Sequence, residues 1–487
     1  MDLSIACKTI DFLLKLEHMK KPELLAPAGN LKKLKFALKY GADAVYCGVP
    51  DFSLRVRINQ FNMRSLKQGI EYAHKLNKKV YVTVNIFAHE PHLKKLENYV
   101  RKLKQLKPDA LIVSDPGVIQ VIKKIWPKAE LHLSTQANCT NSEAVKFWAK
   151  QGIKRIILGR EVTLAEIKKI HKAVPRVELE YFVHGAMCMS YSGRCLLSKF
   201  FTGRSGNLGD CTQPCRWKYT YHESRSTYHE SQTAEKQSHI FLSEVKRPEE
   251  LLEMEEDQNG SYIMNSKDLC LIEYLKELEK AGICSFKIEG RAKSIYYLGT
   301  VVNAYSRKLK DESKKSKVKS KKVKEQRLIP NIPTHIPKSL TLKKELMKTQ
   351  NRGFTTGFLF GKEKCEQLDH KSHEEVEWEF CGEILSTNNE LATCPHCYAK
   401  RCRRANSTNR LKNKYLIKMK VHNQIFVGDR LEFIIPGEEV FSYKVKKMYN
   451  KNMEEIDEAH GGQDEAIYLE MDRDLPEMTL VRRKLKR

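Results

Sequence analysis

The chain has 487 residues, enough for two or three domains with a sizeable core. Hydrophobic residues make up an ordinary 41%, but the formal net charge is +27. That excess points to a polyanionic partner, with nucleic acid ahead of a membrane surface. No run approaches the roughly 18–20 consecutive apolar residues that span a bilayer. The N-terminal MDLSIACKTIDFLLKLEH has early acidic residues and only a short apolar core, a poor signal peptide. A cytoplasmic protein is expected, with its 14 cysteines reduced and available as packing residues, nucleophiles or metal ligands.

Met19 sits just before the first clear strand and is the expected start, which makes residues 1–18 an extension. From Lys21 to about Arg291 one pattern recurs: a short apolar strand, a turn, then an amphipathic helical stretch. The strand candidates are ELLAPAG (from Glu23), DAVYCGV (Asp43), KVYVTVNIF (Lys79), ALIVSD (Ala110), ELHLSTQAN (Glu130), RIILGRE (Arg155), VELEYFVHG (Val177), SYIMNSKD (Ser261) and SFKIEGR (Ser285). Near-continuous apolar strands alternating with helices such as NLKKLKFALKYG predict a parallel sheet covered on both faces. Eight such strands fit a (β/α)8 TIM-like barrel over residues 19–306, whose usual size is about 250 residues. Nine candidates for eight places make one of them a side element. A doubly wound open sheet is the alternative, but no GxGxxG follows any strand.

Many of these strands end in hydrogen-bonding residues: Asn85, Asp115, Gln136, Glu161, His184, Glu289 and Arg291. In a barrel those ends form the active-site face. A polar surface insertion is expected near residues 219–240. Arg307–Arg327 carries eleven Lys and Arg against three Asp and Glu, so residues 307–330 read as a basic linker, disordered or a solvated helix. Residues 331–374 connect it, through NRGFTTGFLFG, to alternating runs such as KYLIKMKVHN and DRLEFIIP. These predict a small β-rich, barrel-like domain over residues 375–487.

Cys188, Cys195, Cys211 and Cys215 fall within 28 residues, among small and polar neighbours, with gaps of six, fifteen and three. Four thiolates serve zinc or an iron–sulfur cluster. The gaps lack the paired CxxC knuckles usual for zinc and suit a larger inorganic core, whose sulfurs nearby glycine amides could serve. Cysteine-protease chemistry would use Cys188 as nucleophile and His184 as base, leaving three cysteines unexplained. In the tail, CPHCYAKRC places Cys394, Cys397 and Cys402 beside His396. A zinc site completed by Cys381 is one reading, and an exposed basic loop the preferred one.

The stretches ELLAPAGN, GADAVYCGVPDFSLRVR, LHLSTQANCTN, EYFVHGAMCMSYSGRCLLS, DCTQPCRW, YIMNSKDL and FKIEGRAKSIYY resemble peptidase family U32, the collagenase-like peptidases, over about residues 21–365. SLRVR, NSKDL, KIEGR and RGFTTGF look most like its branch associated with prephenate-dependent, oxygen-independent hydroxylation of the tRNA wobble uridine to 5-hydroxyuridine. The resemblance implies a TIM-like barrel with a 4Fe-4S cluster on Cys188, Cys195 and Cys211, with Cys215 as fourth ligand and Cys270 as the competing one. It also implies tRNA, through its anticodon region, and a dicarboxylic acid such as prephenate as partners. An electron donor or cluster-assembly proteins are further candidates.

Within that reading Arg55, Arg57, Lys287 and Arg291 are candidates for binding the acid's carboxylates, because guanidinium pairs carboxylate bidentately. His184 and Glu289 are candidate proton-transfer groups, and Gln136 and Asn85 candidates for the uracil edge. Two other classes stay in view, a collagenase-like peptidase and a non-catalytic RNA-binding accessory protein. The chain has no GxSxG and no HExxH.

Overall fold

The computed structural model describes residues 21–54, 60–188, 190, 195, 197–204, 206–208, 210–217, 219–224, 239–244, 247–254, 266–322, 338–361, 374–388, 415–462 and 465–485. Met19, the expected start, and residues 1–18 lie outside them.

Seven parallel strands come first: β1 (Glu23–Pro27), β2 (Ala44–Cys47), β3 (Lys79–Val84), β4 (Ala110–Val113), β5 (Leu131–Leu133), β6 (Arg155–Ile157) and β7 (Glu178–Gly185). Then β8 (Tyr219–Ser224), β9 (His239–Glu244) and β10 (Arg247–Met254) form a separate antiparallel sheet, followed by β11 (Asp268–Cys270). Strand β12 (Ile283–Ile288) runs parallel to both β1 and β7 and closes the sheet into a barrel. Closure excludes the open doubly wound sheet. The side element among the nine candidates is the one beginning at Ser261. Its residues 261–265 lie outside the described residues, and its last residue, Asp268, begins β11, which lies antiparallel on the end of β7, with Cys270 opposite His184.

The barrel strands are buried along nearly their whole length, which is why they read as unbroken apolar runs. Between them lie α1 (Leu31–Lys39), α2 (Met63–Lys75), α3 (Glu90–Leu106), α4 (Pro116–Ile125), α5 (Ser142–Lys150) and α6 (Leu164–Ala173). All but α3 start where a side chain satisfies a free first-turn amide. Asn30 caps α1, Asp115 caps α4 and Asn141 caps α5, while Thr163 and Glu166 form a reciprocal capping box on α6. Asp115, read from the sequence as a pocket-facing strand end, is therefore a helix cap.

Later segments depart from their sequence reading. The region expected as a plain polar insertion contains β8 and the start of β9, while residues 225–238 lie outside the described residues. After α7 (Leu197–Thr202) and α8 (Leu275–Lys280), helix α9 spans Ile295–Lys322 and runs well into the expected basic linker. Its first half buries Leu298, Val301, Val302 and Tyr305 against the barrel, and Lys and Glu beyond them are good helix formers, so the nucleated helix propagates. The described part of the connecting segment, residues 338–361, packs with the barrel unit. Helix α10 (Lys338–Met347) buries Leu342 and Leu346, and β13 (Phe354–Thr355) pairs parallel with β11. Arg352 Nε donates to Asp268 Oδ1 at 3.1 Å, both side chains being buried, and this ties RGFTTG to the barrel.

The C-terminal unit is a curled eight-stranded sheet with its own core of Cys381, Ile417, Met419, Leu431 and Phe433. It is docked by a buried tyrosine. Tyr40 Oη lies 2.7 Å from the Ile434 carbonyl oxygen and 2.9 Å from that of Met478, and accepts from Leu480 N–H at 3.1 Å. Buried Arg482 adds ion pairs to Glu345 of α10 and to Glu432. Loss of one partner from such a buried set leaves others unsatisfied, at about 1–3 kcal/mol. A Tyr40→Phe protein should therefore lose about that much stability in urea unfolding. An unchanged midpoint would mean that this seam does not hold the two units together.

Candidate active site

The barrel interior is polar at its lower end. Glu23 (β1), Glu180 (β7) and Ser285 (β12) lie at one level of register. Arg155 reaches across from β6, with Nη1 2.7 Å from Glu23 Oε1 and 3.4 Å from Glu180 Oε2. Tyr81 Oη donates to Glu23 Oε2 at 2.7 Å, and the His132 ring packs edge-on to Tyr81. Strands β1 and β6 are not neighbours, so these contacts pass through the lumen. Lys287, one inward position above Ser285, donates to Glu180 Oε1 at 2.8 Å and lies 4.5 Å from the Tyr46 ring centroid. Burial works against the Glu180 charge, but Lys287 and Arg155 outweigh it and hold its carboxyl below the usual range.

Above Lys287 the mouth is organised by Arg291. Its Nη1 donates to Ser53 Oγ at 2.8 Å and to Thr83 Oγ1 at 3.3 Å, and its Nη2 to the Leu54 carbonyl. Gly48 makes this possible, since a Cβ there would stand 2.2 Å from both Ser53 Oγ and Thr83 Oγ1. Beside it Asn85 and Gln136 interlock. Asn85 Nδ2 donates to Gln136 Oε1 at 2.6 Å, and Gln136 Nε2 donates back to the Asn85 carbonyl at 3.0 Å. Ser114 and Ser134 complete the network. The structure thus brings Asn85, Gln136, Lys287 and Arg291 together at the mouth. Arg55 and Arg57 lie outside the described residues.

His184 is not in the mouth. A register shift between Lys287 and Ile288 brings Ile288 opposite His184, and its ring is enclosed by Tyr297 and Tyr305 of α9 and Phe354 of β13. Nδ1 lies 3.3 Å from Tyr305 Oη. Burial pushes the imidazole down to about 4, with Asp268 opposing and Lys293 assisting, so it is neutral. No hydrogen bond joins it to Cys188, which is exposed. Glu289 is half-buried, its N–H donating to the His184 carbonyl at 2.9 Å.

The four clustered cysteines follow β7 on short irregular segments. Cys188 is exposed, while Cys195, Cys211 and Cys215 are half-buried, and no disulfide joins any two of the four. Gly206 lies between the Cys195 and Cys211 segments, its Cβ position 3.7 Å from Cys211 Sγ and 3.9 Å from the Cys195 carbonyl oxygen, which places the two segments side by side. The Gln213 amide donates to Cys211 Sγ at 3.3 Å, the kind of backbone bond that stabilises a metal-bound thiolate. Donor type, access and amide supply suit an iron–sulfur cluster. Among the described residues no three His, Cys, Asp or Glu side chains stand already convergent on one point, and residues 191–194 between the first pair are outside them. Cys270 differs. It is buried against Tyr305 Oη at 3.9 Å, and burial pushes its thiol up to about 11. Cys381 is a core residue of the C-terminal sheet, and burial pushes its thiol up to about 12. Cys394, His396, Cys397 and Cys402 lie outside the described residues.

The sequence reading missed the lower polar layer of Glu23, Tyr81, His132, Arg155 and Glu180. The signal was present in ELEYFV, where Glu180 sits between two apolar residues at strand period, a pattern that would put the carboxylate on the opposite face from its neighbours.

The barrel and the docked C-terminal sheet correspond to two consecutive matches within one family. The chain belongs to peptidase family U32: the model of that family matches residues 29–369, and that of the Peptidase family U32 C-terminal domain matches residues 406–482. Among its relatives is tRNA hydroxylation protein P of Haemophilus influenzae, 36% identical over 476 residues and covering 91% of each chain. The protein of that name from Escherichia coli is 43% identical over 362 residues, 70% of this chain and 75% of its own. A 23S rRNA 5-hydroxycytidine synthase of Escherichia coli is 34% identical over 288 residues, 59% of this chain and 39% of its own.

Two outcomes test the interior. Glu180→Gln removes the charge facing Lys287 and Arg155 and should cost about 3–5 kcal/mol of stability in chemical denaturation; a loss below about 1 kcal/mol would show the cations to be satisfied elsewhere. For His184 the unfolded chain takes up a proton near the ordinary 6.5 and the folded chain only near 4. Its contribution is therefore present above the unfolded value and is lost as pH falls from about 6.5 towards 4, by about 1.4 kcal/mol per unit. His184→Phe should flatten the decline of Tm over that window relative to the parent protein. Parallel declines would assign the acid sensitivity to another group, such as buried His132, whose imidazole burial also pushes down.

Proposed function

We propose that the protein is a tRNA-modifying enzyme that hydroxylates the wobble uridine to 5-hydroxyuridine, with prephenate as cosubstrate and a 4Fe-4S cluster as cofactor. The observation that carries this reading is similarity to tRNA hydroxylation protein P across nine-tenths of both chains, barrel and C-terminal sheet alike. The excess positive charge supports it, because each phosphate neutralised by Lys or Arg releases a counterion. An unpaired anticodon base is also the form of RNA that a pocket can read by its edges.

Cys188, Cys195, Cys211 and Cys215 would hold the cluster, which when bound supplies redox chemistry beside the barrel mouth. Cys270, sunk in the packing against Tyr305, is the weaker fourth ligand. Arg291, held by two hydroxyls and a carbonyl, presents fixed positive charge to a carboxylate at the mouth. Lys287 below it is neutralised by Glu180 and supports the floor more than it binds ligand. Asn85 and Gln136 spend their amides on each other, so they stiffen the rim, and reading a uracil edge would require them to exchange partners. Glu289 remains the accessible proton-transfer group, whereas the neutral, enclosed His184 positions β7 against β11 and α9. The peptidase reading has less support, since exposed Cys188 and buried His184 share no hydrogen bond.

Anaerobically purified protein should be brown, with iron and acid-labile sulfide at about four each per chain. Cys188→Ala and Cys215→Ala should lower both, and Cys270→Ala should not. tRNA from a strain lacking the gene should lose 5-hydroxyuridine-derived nucleosides by mass spectrometry, and wild type but not Cys188→Ala should restore them. Colourless protein after anaerobic reconstitution, or unchanged nucleosides in a strain with no second pathway, would overturn the proposal.

A further inference from the structure

The loop that carries Arg291 at the mouth continues directly into a second feature. Ala292, Lys293 and Ser294 form one wall of a cleft of about 470 Å³ between the barrel and the C-terminal sheet. The facing wall is Trp378 and Phe380, from the first strand of that sheet, and Tyr296 and Tyr297 of α9 also line it. Two residues of extended chain reach at most about 7 Å, so the cleft adjoins the mouth rather than lying on a remote face.

The walls are pre-set. Tyr296 and Phe380 are stacked at 5.5 Å with an interplanar angle of 14°, and Tyr296 Oη donates to the Lys348 carbonyl at 2.8 Å. The Lys348 ammonium lies 4.1 Å from the Trp378 ring centroid and is itself held by Glu345 and Glu432. Arg482 lies 5.0 Å from the same ring. Trp378 is therefore held by cations that are anchored in turn. Tyr297 is 4% exposed, and its hydroxyl has no hydrogen-bond partner. That hydroxyl is sealed from solvent, so Tyr297 contributes its ring, packed on His184, rather than its hydroxyl to the base of the cleft. Gln350 and Glu374 add an amide and a carboxylate to the lining.

Aromatic rings, hydrogen-bonding groups and Lys293 at the edge suit a planar, polar-edged heterocycle. A small dicarboxylate fits less well, because Lys348 is already neutralised and Glu374 would repel it. We propose that the cleft stacks an unpaired nucleotide of the substrate RNA that flanks the one presented to the barrel mouth. This rests on the RNA-modification reading and adds to it a second base-binding site, shared between the two structural units.

The test is equilibrium binding of full-length protein to a tRNA transcript at several salt concentrations, with tRNA hydroxylation measured alongside. Stacking on an aromatic side chain is sequence-tolerant and worth enough that Trp378→Ala should weaken binding about 10- to 100-fold. Its salt slope should not change, since no phosphate contact is lost, and Trp378→Phe should keep most of the affinity. Should Trp378→Ala fail to fold, Gln350→Glu at an exposed lining position decides the matter, because its new carboxylate should weaken tRNA binding without altering Tm. Wild-type affinity in a folded Trp378→Ala, or in Gln350→Glu where Trp378→Ala does not fold, would overturn the cleft proposal, and continued hydroxylation by the parent protein would leave the RNA-modification reading standing. A parent protein that neither binds nor hydroxylates tRNA would instead sink that reading, and the cleft proposal with it.

Discussion

The site depends on an ion network inside the barrel. Glu180 is wholly buried, and a carboxylate taken out of water without partners would be prohibitively costly. Arg155 and Lys287 repay that cost, and Arg155 draws in Glu23 from a strand that is not its neighbour. The lumen is thus cross-braced by charge where most barrels of this kind use branched apolar layers. Such a network is weak evidence for stability as such, since well-packed apolar residues could serve equally well. What it supplies here is a fixed floor from which Lys287, Tyr46 and Arg291 rise in sequence towards the mouth.

From that floor the two chemical faces of the molecule separate. The mouth is a preorganised set of hydrogen bonds around Arg291, made possible by the missing side chain at Gly48. The cysteine loop leaves the barrel behind β7, where His184 is clamped by two tyrosines of α9 and by Phe354. The same α9 lines the cleft with Tyr296 and Tyr297, and its Tyr305 buries Cys270. One helix therefore touches the wall behind the cysteine loop, the cleft and the seam with the C-terminal unit. Movement of α9 would be felt at all three.

Much of the architecture was legible in the sequence because parallel barrel strands, covered on both sides, show as apolar runs of characteristic length and spacing. The four clustered cysteines stood out for the opposite reason, as thiols among polar neighbours. The role of RGFTTG was not legible. It reads as a turn-rich connector, and only the buried pair between Arg352 and Asp268 reveals it as an added strand. The extent of α9 was masked in a similar way, because a lysine-rich run has linker composition whether or not a packed helix precedes it.

The sequence by itself determined the alternation of parallel strands and helices, the β-rich tail, the cysteine set and the polar residues at the strand ends, since all of these are written in local period and composition. Only the tertiary structure decided which polar groups share a site. His184 and Arg291 end neighbouring strands of the barrel, yet one is sealed beneath α9 and the other crowns the mouth, because a single register shift between β7 and β12 changes the face a side chain presents. Which strand-end residue meets the mouth and which meets the core depends on pairing between strands about a hundred residues apart, and no local pattern carries that information.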